Sequence, residues 1–211
     1  ETASAIQVLS GDDVRRSAAN TLPGALALLP NVHVSQLLSH AHVVTTRGFS
    51  NIFANKLLVL VDGRSVYTPL FAGVFWDVQN VLLEDLQRIE VVSGPGGSVW
   101  GANAVNGVIN ITTKSARDTQ GAYVLAGGGS FMGRHAAVRY GGKIGPNLYY
   151  RAHAQEYRWD GLDAPAGAPN YDAWEITSGG GRLDWYPSGD DTLTLQGDLY
   201  DGTQFTMPGD T

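Results

Sequence analysis

The sequence predicts an α+β domain followed by a series of antiparallel β-strands, and two observations support this prediction. The first is a change of pattern near Thr119, where short helical and strand signals give way to long stretches of period-two alternation. The second is composition, because 27 of 211 residues are glycine and only 16% are charged. Such a composition is typical of β structure with many tight bends.

The composition also excludes several classes of protein. The net charge of −6 argues against nucleic-acid binding, and the absence of cysteine excludes disulfides and thiolate metal sites. The longest aliphatic run, residues 57–61, is far shorter than the roughly 20 apolar residues of a membrane-spanning helix. No leader pattern stands at the start, so we expect any signal peptide to have been removed or left out.

Short helices and strands are predicted through the first half of the chain. Ser10 with Asp13 approaches a capping box and predicts a helix within 10–19, and Thr21 is suited to cap a second helix that ends near Leu29. Asp62-Gly63 predicts the turn of a hairpin, because both residues tolerate positive φ. The other elements are strands at 32–34, 43–46 and 88–92 and a helical turn or two over 81–88.

The second half predicts about five strands in which apolar and polar residues alternate. A soluble sandwich and a membrane barrel both show this alternation. Tyrosine and tryptophan near the strand ends, with short turns alternating with long loops, favour an outer-membrane barrel. Five strands cannot close such a barrel, so we expect an incomplete barrel and a longer parent protein. The strands are predicted at 121–131, 134–144, 147–158, 175–187 and 191–201.

The glycine-rich stretch at 93–115 invites three enzymatic interpretations, and its residues fit none of them. A phosphate-binding loop needs a lysine directly after its second glycine, but Ala102 follows Gly101. A dinucleotide fingerprint starting at Gly94 would need its third glycine where Val99 stands. A nucleophile elbow around Ser98 would need a glycine where Trp100 stands. We therefore predict no enzyme, no catalytic residue and no cofactor.

Four linked motifs of the first half resemble the plug domain of TonB-dependent outer-membrane receptors. The similarity covers roughly residues 5–115, and alternating strands follow it directly, as they do in that family. It implies a plug domain over 1–117 and the first barrel strands over 118–211. The motifs are LPGALALLPNVHV (22–34), TTRGFSN (45–51), NKLLVLVDGRSVY (55–67) and RIEVVSGPGGSVWGANAVNGVINITTK (88–114).

The resemblance implies active transport of a scarce, bulky nutrient across the bacterial outer membrane, without breaking a bond in it. The substrate expected is a ferric siderophore, with cobalamin or haem as alternatives. The expected partners are TonB with its energising inner-membrane complex, the transported ligand and outer-membrane lipid. A different class of protein stays open beside it, namely a passive or adhesive outer-membrane β-barrel protein with a plug-like module.

The resemblance also implies which residues meet the ligand. The segment 67–79 matches the loop at the outer apex of the plug, although core packing would equally explain its aromatic residues. A neighbouring loop is a further candidate. Apart from the resemblance, His40 and His42 would share a face on a strand and could bind an incoming ligand or, as the weaker option, a metal; a polar loop with incidental histidines is the alternative. The candidate ligand-binding residues are Ser50, Asn51, Asn55, Tyr67, Phe71, Phe75, Trp76, His40 and His42, and no metal site is predicted.

The remaining family positions are structural. Arg47 matches one of two arginines that dock such plugs to barrel carboxylates, whereas Ser93 stands at the position of the second. ETASA at 1–5 is only faintly similar to a TonB box and stands too close to the first plug strand, so the favoured expectation is a box cut short before this sequence. The residues predicted to maintain the plug motif are Gly48, Asp62, Gly63, Gly94, Pro95, Gly101, Asn103, Ala104 and Gly107.

Overall fold

The computed structural model describes residues 5–46, 56–70, 73–94, 97–101, 103–130, 132–161 and 172–204. The chain forms two compact units. The first unit comprises residues 1–37 and 41–113, and the second comprises residues 38–40 and 114–211. The change of unit at 113/114 lies close to the domain boundary predicted at 117/118, which stays a prediction.

The first unit is built on a five-stranded mixed sheet with the order β1-β6-β7-β4-β5. The pairing of β4 with β7 is parallel, and the other pairings are antiparallel. The strands are β1 (Ala5–Ser10), β4 (Leu57–Val61), β5 (Arg64–Ser65), β6 (Leu86–Ser93) and β7 (Gly107–Thr113), and a separate pair is formed by β2 (Val32–Gln36) and β3 (His42–Thr46).

Short helices cover one face of this sheet. Helix α1 (Gly11–Arg16) begins with the predicted capping box, in which the Ser10 hydroxyl accepts from the Asp13 amide at 3.1 Å. Helix α2 (Leu22–Leu26) is capped by Thr21, whose hydroxyl accepts from the Gly24 amide at 3.2 Å. Helix α3 (Gly97–Trp100) and 3-10 turns at Trp76–Val78 and Leu83–Asp85 complete the unit.

The prediction of a helical turn or two over 81–88 is wrong in its second part. Only Leu83–Asp85 form a 3-10 turn, and the chain enters β6 already at Leu86. Pairing of β6 with β1 on one side and β7 on the other satisfies its backbone groups, and this overrides the local helical preference. The core of the unit lies between the sheet and helices α1 and α2, and includes Val14, Leu26, Val59, Ile89 and Ile109.

The second unit is an antiparallel meander with the order β12-β11-β10-β9-β8. Each strand after β8 pairs with the one before it in sequence, and the registers of β10 with β9 and with β11 are unbroken. The connection at 145–147 is tight, whereas that at 160–173 is long. The strands are β8 (Gly121–Gly127), β9 (Arg134–Ile144), β10 (Leu148–Trp159), β11 (Trp174–Trp185) and β12 (Leu193–Gln204).

In this meander the apolar side chains are exposed and many polar side chains are buried, which is the opposite of a sheet in a soluble protein. Apolar side chains on one face are exposed, such as Val124 at 74% and Leu199 at 74%. Polar side chains on the other face are buried, such as Arg151 at 7% and Gln155 at 3%. A soluble sandwich would bury the apolar face, so the arrangement is that of outer-membrane strands. We call these the apolar face and the polar face.

Among the described residues, no helix combines the length and the apolar character that crossing a membrane requires.

Candidate functional site

The segment 66–76 positions the predicted aromatic candidates. The Val66 amide donates to the Val59 carbonyl at 3.1 Å, which holds the start of the segment against β4. The Thr68 amide then donates to the Gly73 carbonyl at 2.8 Å and closes a loop. Leu70, in this loop, is 82% exposed. We did not predict it as a site residue, although its position between Pro69 and Phe71 within an apolar loop was a usable signal.

The aromatic side chains of this segment divide between solvent and core. Phe75 is 41% exposed and Tyr67 is half-buried, so both offer apolar area to a ligand. Trp76 is only 6% exposed and packs in the core cluster with Val59 and Leu86. This placement favours the core-packing interpretation for Trp76, and we omit it from the ligand-facing set. Ser50, Asn51, Asn55 and Phe71 lie outside the described residues.

The two candidate histidines lie in different local structures. His42 is the first residue of β3 and pairs with Gln36, whereas His40 precedes the strand. His40 is 8% exposed and stacks on Trp174 with ring centroids 5.5 Å apart. Next to it, the Ser39 amide donates to an Asp172 carboxylate oxygen at 2.8 Å. No group of three or more potential metal-ligating side chains occurs in the described part of the chain.

The Asp62-Gly63 turn does more than reverse the chain. Both residues have positive φ, 47° and 80°, as the sequence pattern requires. The two Asp62 carboxylate oxygens accept from the amide and the hydroxyl of Thr113, each at 2.7 Å. The hairpin of β4 and β5 is thereby fixed to the end of β7. The turn signal alone did not predict this cross-link.

The segment between β6 and β7 follows the predicted pattern of small residues. Gly101 and Asn103 have φ of 84° and 71°, in the left-handed region. Ala104 is fully buried, and a Cβ on Gly107 would lie 2.5 Å from the Val92 carbonyl oxygen. Close backbone packing therefore excludes larger side chains at Gly107. Arg47, Gly48 and Pro95 lie outside the described residues.

Asn106 links three parts of this region, and sequence reasoning did not identify it. Its amide donates to the Lys56 carbonyl at 2.8 Å. Its carbonyl accepts from the Gly94 amide at 3.0 Å and from the Thr46 hydroxyl at 3.2 Å. Ser93, the residue before Gly94, is the last of β6 and is 8% exposed.

Hydrogen bonds to the Glu90 carboxylate stabilise the centre of the first sheet. Glu90 accepts from the Asn110 side-chain amide at 2.8 Å and from the Arg88 guanidinium at 2.9 Å. These hydrogen bonds, that from Asn110 first, lower the pKa of Glu90 below its ordinary value. The ionised form of Glu90 is therefore the one that stabilises the pairing of β6 and β7.

Comparison with known proteins gives one family and several relatives. The family model described as "TonB-dependent Receptor Plug Domain" matches residues 1–108. A "Vitamin B12 transporter BtuB" of Vibrio vulnificus is 32% identical over 132 residues, which are 62% of this chain and 21% of the relative. A BtuB of Vibrio cholerae is 32% identical over 142 residues, 66% of this chain and 22% of the relative.

Solved structures resemble nearly the whole chain. The siderophore receptor PirA from Pseudomonas aeruginosa has a TM-score of 0.68 at 21% identity, covering 97% of this chain and 36% of that one. The copper transporter OprC has a TM-score of 0.73 at 19% identity, covering 93% and 31%. At such identities the likeness shows the fold alone. The chain spans about a fifth of the length of the curated relatives named above, and those relatives are transporters, not enzymes.

Proposed function

Because the chain belongs to the TonB-dependent receptor plug family, we propose that it forms the plug and first barrel strands of a receptor that imports a scarce nutrient. Receptors of this family lie in the bacterial outer membrane. The proposed activity is transport without chemical conversion, in which TonB and its energising complex move the plug so that a bound ligand can pass.

The observation that carries this proposal is the sheet with an exposed apolar face directly after a separately folded α+β unit. Lipid would contact the apolar face, whose side chains include Val124, Val138, Leu195 and Leu199, all more than half exposed. The polar face would line the lumen. The first unit has its own hydrophobic core, so it has the internal stability that a movable filler of a wide barrel requires.

The proposed ligand contacts are Tyr67, Leu70 and Phe75 of the 66–76 segment, with Ser50, Asn51, Asn55 and Phe71 as sequence-predicted additions. His40 and His42 remain proposed ligand contacts. The structure supports His40 less well, because its side chain is buried and stacks on Trp174. The exposed contacts are apolar and uncharged, which suits a bulky chelate with apolar surface. A ferric siderophore is the substrate we propose, and cobalamin and haem are the alternatives. Arg47 is the proposed docking residue of the plug.

The test is a titration of the purified full-length receptor with ferric siderophores, haem and cobalamin, in which binding is measured by fluorescence quenching. We expect saturable binding of one class. Phe75→Ala should weaken that binding about tenfold, the loss typical of an exposed aromatic contact. Tyr140→Ala is the control, since Tyr140 is 57% exposed on the apolar face. Equal affinities of both variants would remove Phe75 from the ligand site.

A further inference from the structure

The connection between β7 and β8, residues 114–120, is an ordered linker with its own turn. The Asp118 amide donates to the Ser115 carbonyl at 3.1 Å, and the Ser115 hydroxyl donates to the Asp118 carboxylate at 2.7 Å. The Thr119 hydroxyl donates back to the Ser115 carbonyl at 3.0 Å. The linker therefore has a defined shape and belongs to the second unit.

Asp184 of β11 holds this linker from the polar face of the sheet. Its side chain is fully buried, and one oxygen accepts from the Ala116 amide at 2.6 Å. The same carboxylate accepts from the Arg182 guanidinium at 2.9 Å and from the Thr194 hydroxyl at 2.7 Å. A buried carboxylate that loses a hydrogen-bond donor raises the free energy of the folded state. Breaking the hydrogen bond from the Ala116 amide to Asp184 is therefore unfavourable.

Two neighbouring strands hold the linker as well. Arg151 of β10 is 7% exposed, and its guanidinium donates to the Lys114 carbonyl at 2.9 Å. On β9, a Cβ at Gly141 would lie 2.0 Å from the Thr119 carbonyl oxygen. Glycine at 141 thus lets the linker backbone lie directly on the strand. Three adjacent strands therefore contact the linker at three separate points.

We propose that Asp184 is a positioning residue that makes the linker a fixed tether. TonB-driven rearrangement of the plug then stops at residue 113 and does not extend into the linker. This inference rests on the proposed function. A pull on the plug would have to break the contacts from three strands together before the linker moved. The plug could then rearrange during transport and return to one fixed attachment on the barrel wall.

Hydrogen exchange on the purified full-length receptor tests the tether without any transport. Asp184→Ala should accelerate exchange in the peptide 114–120 at least about tenfold, because the Ala116 amide loses its acceptor. Asp184→Asn keeps an accepting oxygen and should restore most of the protection. Asp201→Asn, which removes the same charge from β12, is the control. Unchanged exchange in Asp184→Ala would overturn the proposal.

If Asp184→Ala does not insert into membranes, as judged by the heat-modifiable gel mobility of folded barrels, Arg151→Met replaces it. This variant keeps the length of the side chain and removes the donor to the Lys114 carbonyl. We expect it to accelerate exchange of the same peptide. Protection equal to that of the unaltered receptor would again contradict the tether.

Cysteine labelling in cells tests where the rearrangement ends. Residues 1–211 contain no cysteine, and any cysteine elsewhere in the full-length receptor is first replaced by serine. Two reporters, Thr119→Cys in the linker and Val14→Cys in the first unit, replace side chains that are each 1% exposed. Maleimide labelling is followed with and without TonB, while cobalamin, haem and a ferric catecholate siderophore are supplied in turn. We expect TonB to accelerate labelling of Val14→Cys and to leave Thr119→Cys protected.

Adding Asp184→Ala should make labelling of Thr119→Cys depend on TonB and rise about tenfold or more, and Asp184→Asn should not. Equal TonB-dependent labelling of both reporters in the otherwise unaltered receptor would overturn the proposal. Labelling of Val14→Cys that does not depend on TonB would contradict the proposed transport function instead, and the exchange experiment would still decide whether Asp184 holds the linker.

Discussion

Replacing Asp62 with alanine should loosen the first unit where the β4–β5 hairpin meets the end of β7. The substitution removes both acceptors of Thr113, whose hydrogen bonds to Asp62 are 2.7 Å long. Thr113 is only 7% exposed, so water replaces these bonds poorly. Each charge-assisted bond is worth about 1.5 kcal/mol at the lower end for a half-buried acceptor. Alanine at a φ of 47° adds about 1 kcal/mol of backbone strain.

The expected loss is therefore about 4 kcal/mol. Amides that open with the contact between the β4–β5 hairpin and the end of β7 should exchange roughly a thousandfold faster. The assay is hydrogen exchange with mass spectrometry on the full-length receptor. Asp62→Asn tolerates positive φ and keeps one acceptor, so it should lose only the contribution of one bond, about 1.5 kcal/mol. Asp12→Ala is the matched control, since Asp12 is 60% exposed and pairs with Arg15 at 2.9 Å. Its loss should stay below about 1 kcal/mol. If Asp62→Ala matches this control, the cross-link to Thr113 does not stabilise the contact between the β4–β5 hairpin and β7.

Four further substitutions separate core, electrostatic and ligand-facing roles. Gly11→Ala should destabilise the first unit by about 3 kcal/mol or more in exchange measurements, because its Cβ would lie 1.9 Å from the Leu86 carbonyl oxygen. Glu90 has a lowered pKa in the folded state, so its contribution to stability is complete at neutral pH and is lost as the pH falls below 4.5. Glu90→Gln should therefore remove part of the acid destabilisation seen in unfolding measurements between neutral pH and about pH 3. Trp76→Ala should cost about 3–5 kcal/mol of stability, whereas Phe75→Ala should leave stability nearly unchanged, and equal losses in a thermal unfolding assay would contradict their different burial.

The strands of the second unit could be predicted from sequence because period-two alternation is a local signal. Periodicity alone did not identify which face is buried, since a sandwich and a barrel alternate alike. The structure decides this through particular side chains, for example exposed Val138 at 51% and buried Arg139 at 9% on the same strand. The direction of burial depends on the solvent around the sheet, which no short window of sequence records.

The first unit shows where local signals fail. The caps at Ser10 and Thr21 were predictable, since each side chain bonds an amide three residues away. The 81–88 segment was not, because pairing with distant strands decides its structure. Trp76 lies in an aromatic-rich loop by sequence, and only the core around it shows its role. The linker contact of Asp184 joins residues 68 positions apart, which a single sequence does not reveal.

Energy-dependent uptake tests the central claim most directly. Cells that produce the full-length receptor, with or without TonB, would be given labelled cobalamin, labelled haem and a labelled ferric siderophore, and surface-bound and internal label would be measured separately. We predict that one ligand binds to both cell types and accumulates inside only when TonB is present. Equal accumulation without TonB would identify a passive barrel, and absence of binding by every ligand class would contradict a nutrient receptor.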